Sequence, residues 1–99
     1  MKSDSDPDFP KFKPGDRVTV RKAYPLGDIR TPFYIRGHSG VIERVCGSFP
    51  NPEELAQQRS GEPKQPLYRV RFRQQDVWPD YRGNADDVLE IEIYQHWLE

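Results

Sequence analysis

The sequence predicts an all-β fold: a small barrel of four to five antiparallel strands with two long loops and a short helical turn. Three observations carry this. Ten prolines and seven glycines in 99 residues favour turns and short strands over long helices. Apolar and charged residues alternate in two segments, 67–73 and 88–93. The hydrophobic fraction, 34% against 31% charged, supplies one modest core, the scale a chain of this length supports. So lean a composition suits a domain that completes its burial against a partner.

Asp4, Asp6 and Asp8 make residues 1–11 acidic, and prolines break them; we read a flexible acidic arm ahead of a domain spanning 12–99. Pro14-Gly15 makes a turn, and Asp16 is placed to accept from nearby backbone amides. Val18 and Val20 then share one face of a first strand, with Arg17, Thr19 and Arg21 opposite. Residues 22–35 lack a clean period. Pro25 and Gly27 break the chain, and Pro32 keeps Thr31 extended. A loop this long in so small a domain points to function, and Leu26, Ile29, Phe33 and Tyr34 argue that it is ordered.

Gly37 and Gly40 bracket a tight turn, and residues 41–45 follow as a second strand with Val41 and Val45 inward. A second excursion runs from Cys46 to Gly61. Within it residues 52–59 suit a short helix, with Pro52 in the first turn and Glu53 and Glu54 beside it. Tyr68, Val70 and Phe72 alternate with Arg69, Arg71 and Arg73 in the clearest strand. Leu89, Ile91 and Ile93 alternate with Glu90 and Glu92 in the next, so pairing of the two sets arginines against glutamates. Residues 94–99 form a terminal turn or a short fifth strand. Closing such a bent sheet into a barrel of the SH3-like kind limits its exposed edges.

Net charge is -1, which gives no general reason to bind nucleic acid or membrane. The charge is uneven, however: Lys11, Lys13, Arg17, Arg21, Lys22, Arg30 and Arg36 stand against Asp16 and Asp28 alone. The single cysteine, Cys46, excludes an intramolecular disulfide and a cysteine-built metal site, and reads as a small buried hydrophobe. No apolar run reaches the roughly 20 residues of a membrane span, and the first residues lack an apolar leader. A soluble cytoplasmic protein is the expectation. His38 and His96 lack ligand spacing, and Ser39 beside His38 has no orienting acid. No catalytic pair is evident, so catalysis by the isolated chain is not expected.

Five motifs occur in order: Phe12-x-x-Gly15-Asp16-Arg17-Val18-x-Val20; Arg30-x-Pro32-x-Tyr34-x-Arg36-Gly37-x-x-Gly40-x-Ile42; Glu62-x-x-Gln65-Pro66-Leu67-Tyr68-x-Val70-x-Phe72; Val77-Trp78; and Glu92-x-x-x-x-Trp97-Leu98-Glu99. Together they resemble the C-terminal half of the nitrile hydratase β subunit, and also the small α subunit of thiocyanate hydrolase. The segment from Asp76 to Tyr81 and the segment from Leu89 to Ile93 look closer to the second enzyme. The resemblance covers residues 9–99. It implies an SH3-like barrel packed on a separate metal-bearing subunit, whose Cys-x-x-Cys-Ser-Cys loop holds low-spin cobalt(III) or iron(III) and carries two oxidised cysteines. This chain would bind no cofactor itself.

The resemblance assigns Arg36, from Tyr-x-Arg-Gly, to hydrogen bonds with those oxidised sulfurs, a task suited to a planar guanidinium. Arg30 is a second candidate there. Tyr34, Phe33, Trp78 and Trp97 are candidates for the substrate pocket or the subunit interface. The sequence departs from the family at Gly27-Asp28-Ile29-Arg30, where Gly-His-Thr-Arg is common. The N-terminal half of the β subunit, with its second arginine, would come from another chain. The alternatives are an activator that escorts the metal subunit during metal insertion, and a nucleic-acid-binding barrel of the KOW type, which the Gly15-Asp16-x-Val18 and Gly37-x-x-Gly40-x-Ile42 pattern also resembles.

Overall fold

The turn at Pro14-Gly15 determines where the sheet starts. Gly15 takes a φ of +94°, and the Asp16 carboxylate accepts from the Lys13 amide at 2.9 Å and its ammonium at 3.1 Å. These bonds hold the Asp16 pKa below the usual carboxylate value. The structure, a computed structural model, describes residues 9–23 and 31–99. Residues 1–8 of the predicted arm and residues 24–30 of the predicted loop, Arg30 included, lie outside the described residues.

Four antiparallel strands follow in the order β1-β2-β3-β4: β1 Arg17–Thr19, β2 Ser39–Phe49, β3 Gln65–Arg73 and β4 Val88–Tyr94. The sheet curls, and its open side is tied where Leu98 bridges Val20. There Thr19 N donates to Glu99 O at 2.8 Å, and Glu99 N to Thr19 O at 2.9 Å. The terminal segment is thus a 3-10 turn, Gln95–Trp97, followed by a bridging residue. The all-β barrel is as the sequence predicts.

β3 follows its alternation: Tyr68, Val70 and Phe72 are buried, and Arg71 and Arg73 are exposed. Its register sets Arg69 against Glu92 and Arg71 against Glu90, with one ion pair formed, Arg69 Nη2 to Glu92 Oε2 at 3.2 Å. Exposed pairs of this kind add little to stability. β2 departs from expectation. Its core residue is Ile42, opposite Val70, while Val41 lies opposite the outward Arg71 and Val45 is 36% exposed. Val41 lies before both register shifts, where Gly40 and Ile42 hold the inward positions; the shift between Ile42 and Arg44 then sets Val45 opposite Tyr68, out of step with Val41. An extra residue at a bulge resets the alternation, so positions that share a face in a regular strand are separated. Cys46, on this irregular stretch, is half-buried.

Gly40 belongs to β2 rather than to a turn, and its role is close approach. A Cβ there would lie 2.7 Å from the Arg71 carbonyl oxygen and 2.8 Å from the Phe72 ring. Gly40→Ala should therefore destabilise the barrel by about 1–3 kcal/mol, read as a lower urea midpoint at unchanged slope.

Gln95, 5% exposed, pins the incoming chain. Its Oε1 accepts from Lys11 N at 2.8 Å and from the Tyr68 hydroxyl, and its Nε2 donates to Phe9 O at 3.3 Å. Burial pushes the Tyr68 phenol above its ordinary pKa. Among the described residues no helix is long and apolar enough to cross a membrane.

Candidate functional site: an arginine clamp beside an aromatic ledge

Pro32, extended, delivers the chain into a 3-10 turn, Phe33–Ile35. Ile35 is fully buried and roots the turn, which leaves Phe33 71% and Tyr34 43% exposed. Gly37 then takes a φ of +85°, a conformation glycine adopts without Cβ strain. Its amide reaches Val20 O at 2.9 Å, and Val20 N reaches His38 O at 2.9 Å. Arg36 is therefore held between a rooted turn and the end of β1.

The Arg36 side chain is folded onto its own chain rather than projecting from the barrel. Nη1 donates to Ala23 O at 3.0 Å and Nη2 to Thr31 O at 2.8 Å, with Thr31 itself buried. The guanidinium carbon lies 4.8 Å from the Trp97 ring centroid and 5.3 Å from that of Phe33. Two carbonyls fix the plane and two rings flank it, a cation–π arrangement. Trp97, 3% exposed, serves as the inner support and is part of the core. Phe33 is the outer, exposed cover.

Trp78 follows a one-turn helix, α2 (Gln74–Val77), anchored by the buried Val77. Its indole Nε1 donates to Gln74 Oε1 at 2.7 Å, and its ring stacks on Tyr34 with centroids 5.1 Å apart. Two segments distant in sequence thus build one aromatic ledge next to the arginine. The structure brings Phe33, Arg36 and Trp97 together, and separately stacks Tyr34 on Trp78.

Glu53, which the sequence marks only as an acid at a helix start, also joins this cluster. The helix of the second excursion, α1 (Pro52–Leu55), is shorter than 52–59 and is capped by Asn51, whose side chain accepts from Glu53 N at 3.0 Å. Glu53 Oε2 accepts from Trp97 Nε1 at 2.6 Å and lies 3.1 Å from His96 Nε2. Nothing in the sequence ties Glu53 to Trp97; only the folded excursion does. A groove of about 540 Å³ lined by Phe49, Leu55, Leu67 and Tyr94, among others, contains none of Arg36, Phe33, Tyr34, Trp78 and Trp97. Among the described residues no three His, Cys, Asp or Glu side chains converge as a metal-ligating group.

Residues 2–99 match the family model described as nitrile hydratase beta subunit, C-terminal. The chain belongs to that family. This member of the nitrile hydratase β family is 37% identical over 91 residues to the nitrile hydratase subunit beta of Pseudomonas chlororaphis. It is 38% identical over 90 residues to the thiocyanate hydrolase subunit alpha of Thiobacillus thioparus. The matches take in 91% and 90% of this chain, but 40% of the first relative's length and 71% of the second's. The recombinant apo thiocyanate hydrolase of T. thioparus superimposes with a TM-score of 0.87 at 35% identity, over 96% of this chain and 79% of that one.

Proposed function

We propose that this chain is the non-metal subunit of a nitrile hydratase or thiocyanate hydrolase-like complex that hydrates a C≡N bond. Its ledge of Phe33, Tyr34 and Trp78 packs on the metal-bearing subunit, and Arg36 donates to the oxidised cysteines of that subunit's Cys-x-x-Cys-Ser-Cys loop. A further chain supplies what corresponds to the N-terminal half of the β subunit. Lewis-acid activation comes from the cobalt(III) or iron(III) that the partner holds.

The observation that carries the reading is the clamp on Arg36. A guanidinium fixed in plane by Ala23 O and Thr31 O, and supported by Trp97, loses little freedom when it bonds anionic oxygens. Charge-assisted bonds of that kind are short and about twice as strong as neutral ones. In the assembled complex such an arginine orients the metal's ligands and holds their charge without touching the metal. Exposed aromatics beside it suit the centre of a subunit contact.

Co-expression with a metal-bearing partner tests the assignment. The chain should co-elute stoichiometrically with that partner both before and after metal loading. Release on loading would identify an escort instead, and failure to bind at either stage would remove the assignment altogether.

A further inference from the structure

We infer that Glu53 is a positioning residue for Arg36, acting through the Trp97 indole; this rests on the reading above. Three contacts form a line. The Glu53 carboxylate takes the indole N–H at 2.6 Å, which fixes the rotation of the Trp97 ring about its side-chain bonds. The face of that ring lies 4.8 Å from the Arg36 guanidinium carbon. Arg36 in turn donates to Ala23 O and Thr31 O. The first link is itself set firmly: Asn51 caps α1 by accepting the Glu53 amide at 3.0 Å, Asn51 N reaches Gly61 O at 2.9 Å, and His96 Nε2 lies 3.1 Å from the same Glu53 oxygen.

The excursion between β2 and β3 thus reaches over to orient a side chain rooted in the other long loop. An indole whose N–H loses a buried acceptor rotates or recruits water to regain one. Either outcome tilts the surface on which the guanidinium rests, and an arginine so displaced misdirects donors whose value depends on direction.

The test uses the full chain and the assembled complex with Glu53→Ala and Glu53→Gln; glutamine keeps an acceptor oxygen in reach. In the isolated chain, the two indole N–H resonances are assigned by loss of one in Trp78→Phe. Glu53→Ala should move the Trp97 indole signal upfield and shift the Arg36 guanidinium signals, and Glu53→Gln should hold both near their native positions. In the complex, Glu53→Ala should lower kcat about 10-fold at unchanged KM and stoichiometry, with Glu53→Gln recovering most of it. Unmoved Trp97 and Arg36 signals in Glu53→Ala, or a Glu53→Gln variant as impaired as Glu53→Ala, overturn the inference. Shifted signals with unaltered turnover leave the positioning intact and instead defeat the proposed role of Arg36 in the reaction.

Discussion

Arg36→Lys is expected to leave the barrel folded and the complex assembled while lowering turnover about 10- to 100-fold, the usual range for residues that orient metal ligands. Lysine keeps the charge but offers one ammonium in place of a planar fork. It cannot span Ala23 O and Thr31 O together, and it has no flat face to lay on Trp97. The effect on stability should be small, because Arg36 is only half-buried and the hydrophobic core beneath it is unaltered. The readout is kcat per assembled complex, compared with the melting temperature of the isolated variant. Wild-type turnover in Arg36→Lys would remove the residue from the mechanism.

Trp97→Ala should have the largest effect on stability, about 3–5 kcal/mol. Trp97 is a large, nearly fully buried side chain that closes the core beside the bridge of Leu98 to Val20. Its removal opens a cavity and takes from Glu53 the indole donor it now accepts. A domain of this size has roughly 5–15 kcal/mol in total, so the variant would approach the unfolded state at physiological temperature. Trp97→Phe keeps much of the ring but not the N–H, and should fall between. Urea unfolding of the three proteins gives the order.

Where local pattern decides structure, the sequence was readable. The alternation of Tyr68, Val70 and Phe72 with arginines gave β3 and its buried face, and the opposing Glu90 and Glu92 gave the register with β4. The bulges of β2 were not readable, because no residue type marks an inserted position; Val41 was assigned to the wrong face because the inward position beside it is taken by Gly40, which carries no side chain to signal a core face. The motif around Arg36 named the residue but not its pose. Its partners are backbone carbonyls, which every residue carries and no sequence advertises. Glu53 was read as a charge suiting a helix start, and its link to Trp97 exists only once the excursion has folded over the terminal turn. Gln95 and Tyr68 likewise meet only through the pairing of β3 with β4, at whose end the Gln95 turn begins. Tyr34 and Trp78 were legible as two separate candidates for the pocket or the subunit interface, not as one stack.

A crystal structure of the assembled complex would show whether Arg36 faces the metal-bearing subunit. The Phe33, Tyr34 and Trp78 ledge should lie buried against the partner, with an Arg36 terminal nitrogen about 2.7–2.9 Å from an oxygen on an oxidised partner cysteine. A complex in which that ledge remains in solvent and Arg36 lies far from the partner's cysteine loop would contradict it.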